Sequence, residues 1–528
     1  MRILVTEPLS DKGIEILKND DDISVDIETK LSQEELVNRI GDYDALIVRS
    51  GTKVTSEVIE SASKLKVIGR AGVGVDNVDV SSATRRGIIV VNTPNANTIS
   101  AAEHTMTLLL AMSRNIAPAN VSLKSRKWDR QKFLGVEVYN KILGIIGLGR
   151  IGTEVAKRAQ SFGMQIIASD PYISPDTAAK LNVQLVDNNE LFQKADYITV
   201  HLPLTEETSY LLDEEAFALM KDGVRIINCA RGGICNEKAL YDAIVSGKVA
   251  GAALDVFEQE PPLDNPLLDL DAVLTTPHLG ASTREALVNV SLEIVYQVID
   301  ALKGRPVRNA VNMIALDLGE VEKIRPFLQL AEKLGNIQSQ LVEGHVTEVN
   351  IDYSGEIINY PTEILSIAVQ KGLLQPFLGD SVNYVNSALI SRERGIKVSE
   401  TRISEIEDFV NLITVTIKTD KGERRISGTI FGTKEPRIVE IDGYHLDVMP
   451  SGYLLILQSR KDRPGVMGPL GNILGEYNIN IAGMSMGRET PYSEAIAVLT
   501  LDNPVPKEAI EKIKSLEGIW EAKLVRLD

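Results

Sequence analysis

The chain has 528 residues, too many for one hydrophobic core, so three or four domains are expected. Its 73 acidic side chains outnumber 56 basic ones, and the formal net charge of −17 excludes nucleic acid or an anionic membrane as its partner, since both call for basic surface. Two cysteines, Cys229 and Cys235, cannot make a disulfide framework, and no metal-type spacing of ligands occurs.

The N-terminus enters a strand directly, without a signal-peptide pattern, and no apolar run reaches bilayer-spanning length. A cytoplasmic protein is expected. Up to about residue 97, apolar runs at 3–5, 25–27, 45–48, 67–68 and 88–91 alternate with helical spacing at 11–17 and 33–40. That alternation predicts a parallel α/β sheet. Two strand ends carry arginine: Arg49-Ser50, and Arg70 followed by Ala71-Gly72-Val73-Gly74. Ligands of open α/β sheets bind beyond the carboxyl ends of strands, and a glycine-spaced loop can turn backbone N–H groups to an anion. On residue chemistry alone each arginine is equally well an ordinary ion-pair residue.

A helix is predicted over 98–114, capped by Thr98 or Ser100 and joining two α/β units. The basic stretch 124–132 contains Trp128 and is expected to pack across an interface. Then comes an apolar strand at 142–146, glycines at 147, 149 and 152, and helical spacing at 153–160. Strand, G-x-G-x-x-G, helix is a dinucleotide fingerprint. Gly147 serves the tight turn, Gly149 the approach of a pyrophosphate, Gly152 the packing of helix on strand. The helix N-terminus presents free N–H groups to the phosphates. The next strand ends in Asp170, where a carboxylate binds ribose hydroxyls and repels a 2′-phosphate, so NAD is expected rather than NADP.

Further strands end in polar residues, and Arg231, Glu260 and His278 follow three of them. An arginine fork suits a substrate carboxylate. A histidine can take the proton of a C2 hydroxyl as hydride leaves C2, with a carboxylate orienting its ring. The set fits NAD-dependent oxidation of a 2-hydroxy acid. His104, His345 and His445 are expected to be structural or exposed, His201 to support a loop, and both cysteines to pack rather than react. Beyond Pro306 the pattern becomes α+β over about 310–450, and from Gly452 it reads βαββαβ, a ferredoxin-like order.

Gly147-Leu-Gly-Arg-Ile-Gly152, Asn228-Cys-Ala-Arg-Gly-Gly233, Asp255-Val-Phe-Glu-Gln-Glu-Pro261 and Thr276-Pro-His-Leu-Gly-Ala-Ser-Thr283 resemble the D-isomer-specific 2-hydroxyacid dehydrogenases. Val48-Arg-Ser50, Gly69-Arg-Ala-Gly-Val-Gly-Val-Asp-Asn77 and Asn92-Thr-Pro-Asn95 are similar to the long-form members acting on 3-phosphoglycerate. Asp462-Arg-Pro-Gly465 and Asn478-Ile-Asn480 are similar to an ACT domain. The resemblance implies two Rossmann-like doubly wound parallel-sheet domains, an α+β intervening domain and a ferredoxin-like ACT domain. The substrate-binding domain would be split over 1–97 and 285–309, with the NAD-binding domain at 98–284, the intervening domain at 310–451 and the ACT domain at 452–528.

It further implies that Arg231 holds the substrate carboxylate, that His278 moves the proton and that Glu260 is its partner. Arg150 and Ile151 would lie on the pyrophosphate and Asp170 on the ribose. Pro203, Thr208, Cys229, Ala230, Arg231, Asp255, His278 and Gly280 would complete the cofactor side. Arg49, Ser50, Arg70, Gly72, Val73 and Gly74 would meet the substrate, the two arginines its phosphate. Asp462 and Asn480 match effector positions for L-serine. The expected reaction is oxidation of 3-phospho-D-glycerate by a homodimer or homotetramer, without a metal. A glyoxylate or hydroxypyruvate reductase, or an NAD-sensing corepressor on the same fold, stands as the alternative.

Overall fold

The computed structural model describes residues 1–314, 318–404, 408–460 and 465–527. Its first sheet is parallel, with the strands Ser24–Ile27, Arg2–Val5, Ala45–Val48, Val67–Arg70 and Ile89–Val91 side by side in that order. Ala45–Val48 is buried at every position, which is why it reads as an unbroken apolar run rather than an alternation. Helix Asp11–Lys18 is capped by Ser10, and Gln33–Arg39 starts with a capping box between Ser32 and Glu35.

The connecting helix spans Thr98–Ser113, but neither expected cap forms: Asn97 stands at the N-cap without a side-chain hydrogen bond. Ser100 instead donates from Oγ to the Gly280 carbonyl at 2.8 Å, a buried bond to a residue 180 positions away. A tertiary acceptor has taken the hydroxyl that local geometry would give to the helix end.

The second sheet has seven parallel strands in the order Val273–Thr275, Val249–Leu254, Val224–Asn228, Tyr197–Val200, Ile142–Ile146, Gln165–Ser169, Gln184–Leu185. The chain order reverses between Ile142–Ile146 and Tyr197–Val200, and a crevice for ligands opens beyond the carboxyl ends of strands at such a switch point. Helix Arg284–Leu302, capped by Thr283, then carries the chain back onto the first sheet, where Val290, Ile294, Val295 and Val298 share a core with Ile3, Val5, Ile47 and Val67. Gly69 permits that contact, since a Cβ there would lie 2.6 Å from Val298 Cγ2.

The third sheet runs Lys397–Ile403, Val346–Gly355, Asn411–Thr419, Gly422–Phe431, Glu435–Ile441, Tyr444–Val448; its first pair is parallel and the rest antiparallel. Helix Leu318–Leu341 covers it and crosses Thr362–Leu378 at Gly335 and Gly372, where added Cβ atoms would fall 2.1 and 1.9 Å from backbone oxygens. Thr362–Leu378 leaves no period in the sequence because residues on all its faces are buried.

The last sheet is antiparallel, in the order Ile481–Arg488, Ala495–Leu501, Tyr453–Ser459, Ile519–Arg526, with helices Met467–Glu476 and Lys507–Lys514 on one face. This is the expected ferredoxin-like arrangement. Its other face is not open: Leu454, Ile456, Val498 and Val525 pack into the same core as Leu334 and Ile337 of helix Leu318–Leu341. Arg424 pairs with Glu521 at 2.6 Å and Lys523 donates to the Leu341 carbonyl at 2.7 Å across the seam. No helix is long and apolar enough to cross a membrane among the described residues.

Candidate active site

Strand Ile142–Ile146 ends in Gly147, at φ 92°, a region that favours glycine. A Cβ on Gly147 would lie 2.6 Å from the His201 carbonyl oxygen, and one on Gly152 2.1 Å from that of Gly147. Gly149 differs, because a Cβ there meets nothing within 4 Å. It borders a cleft of about 620 Å³ that Thr98, Leu148, Arg150 and Ile173 also line. Helix Arg150–Ser161 starts there without a side-chain cap, so its first N–H groups are left for a ligand. Ile151 turns the other way, onto the core of this unit. Asp170 stands beside the loop, accepting from the Leu148 N–H at 2.8 Å and from the Tyr172 N–H at 2.9 Å. The open space at Gly149, the uncapped helix and the carboxylate at the strand end fit a dinucleotide.

Beyond Tyr197–Val200, Thr208 ties the loop by donating to the Pro203 carbonyl at 2.6 Å and accepting from the Thr205 N–H at 2.8 Å. His201 lies 3.1 Å from Thr199 Oγ1, and desolvation drops its pKa to about 4, so the ring is neutral and supports the loop.

Asn228 closes the turn after Val224–Asn228: its Oδ1 accepts from the Ala230 N–H at 3.0 Å and its Nδ2 donates to the Arg231 carbonyl at 2.9 Å. That turn presents Arg231. Gly232 then lies against the next loop so closely that a Cβ would fall 1.8 Å from the Phe257 carbonyl oxygen. The Phe257 N–H donates to Glu260 Oε1 at 3.2 Å, and Glu260 Oε2 accepts from His278 Nδ1 at 2.8 Å. Since a carboxylate only accepts, Nδ1 carries the proton and Nε2 keeps its lone pair. Gly232→Ala is expected to cost about 1–3 kcal/mol by overpacking and to lower turnover, because the Arg231 loop and the Glu260 loop move apart. Thermal unfolding and steady-state rates check it; unchanged turnover would show that the two loops act independently.

The 276–280 turn is built on Asp255, which is fully buried. Asp255 accepts from Thr276 Oγ1 at 2.5 Å and from the Leu279 and Gly280 N–H groups, each at 2.7 Å. Burial pushes its pKa up, but these bonds and the His104 ring outweigh that and hold it below its ordinary value. His104 is thus largely buried, not exposed. Burial pushes the Cys229 thiol up to about 12 and Cys235 also upward, so neither is a ready nucleophile.

The opposite wall comes from the first sheet. Burial and the neighbouring Arg231 pull the Arg70 pKa down to about 10, with Arg49 adding and Asp76 and Glu7 opposing. Arg70 Nη1 lies where a Cβ on Gly72 (φ 151°) would be, and Arg231 Nη2 where one on Gly74 would be, so glycine at both positions gives the two guanidinium groups room over the loop. Asn92 Nδ2 donates to the Val73 carbonyl at 2.6 Å and shapes the same loop. Arg231 Nε also pairs with Asp76 at 3.1 Å, across 155 residues of sequence. Glu7 gathers the N–H groups of Arg49, Gly51 and Thr52, and Asn77 donates to the Arg49 and Thr52 carbonyls, while Ser50 is exposed. Glu7 carries no motif of its own, and Asp76 and Asn77, though they close the 69–77 stretch, were given no role by it; only their neighbours in space make the three part of the site.

Asp462 lies outside the described residues. Asn480 is exposed and donates to Asp502 at 2.6 Å. Register sets Ile481 and Tyr453 both opposite Leu501, and Arg488 and Ser459 both opposite Ala495. Asn480 and Ser459 therefore sit at opposite ends of the sheet, about 20 Å apart at strand rise. Among the described residues no cluster of three or more His, Cys, Asp or Glu is gathered for a metal.

Residues 106–280 match the NAD binding domain of the D-isomer specific 2-hydroxyacid dehydrogenases, 323–442 the D-3-phosphoglycerate dehydrogenase intervening domain and 453–518 the ACT domain. The chain is 49% identical over 528 residues to D-3-phosphoglycerate dehydrogenase of Methanocaldococcus jannaschii, all of both chains being covered. Identity is 43% over 526 residues to the Bacillus subtilis enzyme of that name, covering 100% of this chain and 99% of the other. Among solved structures, D-lactate dehydrogenase from Aquifex aeolicus, complexed with NAD and lactic acid, superposes with a TM-score of 0.53 at 29% identity, over 58% of this chain and 96% of that one. A glyoxylate reductase from Paecilomyes thermophila gives 0.54 at 30% identity, over 59% and 98%. With its NAD-binding unit, intervening domain and ACT domain, the chain belongs to the D-3-phosphoglycerate dehydrogenases, NAD-dependent enzymes of the D-isomer-specific 2-hydroxyacid dehydrogenase family.

Proposed function

We propose that this enzyme oxidises 3-phospho-D-glycerate to 3-phosphooxypyruvate in the cytoplasm, as the first step of L-serine synthesis, and that L-serine restrains it through the ACT domain. The observation that carries the substrate is the arginine cluster. Arg70 and Arg231 both stand over the 72–74 loop, and burial together with the Arg231 charge, Arg49 adding to it, pulls the Arg70 pKa down, in a protein of net charge −17. Like charges so placed repel unless an anion joins them. A ligand with a carboxylate at one end and a phosphate at the other would neutralise them together; an unphosphorylated hydroxy acid would answer only one.

Bound NAD would supply the hydride acceptor. His278 Nε2 would take the proton of the C2 hydroxyl, and the Glu260 carboxylate on Nδ1 would stabilise the imidazolium that results. Arg231 would hold the carboxylate, and Arg49, Arg70 and the N–H groups of the 72–74 loop the phosphate end. Residues 1–97 with 285–309 would form the substrate-binding domain and 98–284 the NAD-binding domain. Asn480 and Ser459 stand at opposite ends of the last sheet, so L-serine would bind between Asn480 of one subunit and Asp462 of another in a homo-oligomer.

The test is NADH absorbance with 3-phospho-D-glycerate and NAD, with and without L-serine. Turnover suppressed by serine is the expected result. Turnover indifferent to serine would retire the effector assignment. Faster use of glyoxylate or hydroxypyruvate than of 3-phosphooxypyruvate in the reverse direction would move the chain to the reductases.

A further inference from the structure

His104 belongs to no motif, yet it reaches from helix Thr98–Ser113 into the foundation of the His278 turn. Its Nε2 lies 3.1 Å from Asp255 Oδ1 and 3.2 Å from Thr276 Oγ1. The side chain is 17% exposed, against 0% for Asp255. The donor at this junction follows from the bonding. Asp255 accepts only, and the Thr276 hydroxyl already points its hydrogen at Asp255. Nε2 must therefore carry a hydrogen and share it between the two oxygens.

The turn that this junction supports is a demanding one. His278 has φ 55°, a left-handed conformation uncommon outside glycine that histidine enters more readily than most residues, and its surroundings fix it there. Those surroundings are largely Asp255. Its backbone carbonyl accepts from the His278 N–H at 3.0 Å, and its side chain holds the next two N–H groups, of Leu279 and Gly280. Ser100, one helical turn before His104, accounts for the far side of the turn by donating to the Gly280 carbonyl. One face of the connecting helix thus grips both ends of the segment that displays the base.

We infer that His104 is a positioning residue: by donating from Nε2 to Asp255 and Thr276 it keeps the 276–280 turn in the shape that aims His278 at the substrate. The inference rests on the reaction proposed above for its catalytic part, and on the hydrogen-bond geometry alone for its structural part. His104 touches neither substrate nor reacting atoms. Its contribution lies in fixing where Nε2 of His278 stands, and small misplacements of a reacting group are costly in rate.

Two variants of the full chain test this. His104→Phe keeps the ring volume and removes the donor; His104→Gln keeps a side-chain N–H at similar reach. His104→Phe is expected to lower kcat by about 10–100-fold while KM for 3-phospho-D-glycerate and the Kd for NADH change little. His104→Gln is expected to restore most of that turnover. Amide hydrogen exchange over 276–282 should accelerate in the Phe variant and stay near wild type in the Gln variant. Equal losses in both variants would mean that the N–H is not what the turn needs, wild-type turnover in His104→Phe alone would mean that the imidazole only fills space, and wild-type turnover in both would mean that it does nothing for the base; each overturns the inference. If the wild-type chain itself turns over no 3-phospho-D-glycerate, the proposed reaction fails and the catalytic part falls with it. Exchange still decides the structural part in that event: unchanged protection in His104→Phe overturns it.

Discussion

Replacing His278 by glutamine is expected to lower kcat by about 10²–10⁴-fold, the usual worth of a positioned general base. Glutamine keeps polarity and a donor toward Glu260 but has no lone pair of comparable basicity for the C2 hydroxyl. Because His278 lies beyond Val273–Thr275 while the glycine loop follows Ile142–Ile146, four strands further across the same sheet, NADH binding at the glycine loop should survive. Fluorescence titration with NADH beside steady-state rates separates the two. A fall in cofactor affinity matching the fall in rate would show that His278 builds the cofactor site instead of moving a proton. Glu260→Gln should follow in the same direction with a smaller loss, since it leaves the base in place and removes only the charge that steadies the imidazolium.

The arginine cluster makes the second large prediction. The Arg49→Ala/Arg70→Ala double variant should raise KM for 3-phospho-D-glycerate by about 10²–10³-fold, the scale of losing charge-assisted contacts that cost a few kcal/mol each when truncated. For an unphosphorylated 2-hydroxy acid the change should be much smaller, because Arg231 still holds the carboxylate. The contrast between substrates is the readout. Equal effects on both would dismiss the phosphate assignment and leave these arginines as supports of the 72–74 loop. The single Arg70→Ala variant should also relieve the repulsion between Arg70 and Arg231. It should therefore melt no lower than wild type in the absence of ligand, a sign that this site trades stability for affinity.

The sequence by itself determined those parts of the molecule whose chemistry is local. The glycines at 147, 149 and 152 follow a strand and open a helix, so turn, approach and packing were all legible within a dozen residues. Arg49, Arg70, Arg231, Glu260 and His278 were legible because parallel strands deliver their C-terminal ends to one edge, and a residue just past a strand is thereby placed without knowing what it touches. The alternating βαββαβ pattern of the last unit spoke for itself for the same reason. Tertiary structure decided whatever depends on two distant segments meeting. Asp76 gains its meaning from Arg231, His104 from Asp255, and Ser100 from Gly280, each across more than a hundred residues. Helix Thr362–Leu378 and the merging of the last sheet with helix Leu318–Leu341 belong here too. Burial on every face erases the periodicity that announces an amphipathic element, and an apolar face in a sequence does not say which other apolar face will cover it. Hydrogen bonds and desolvated charges act over a few ångströms of space, not along the chain, so their partners appear only once the fold has brought them together.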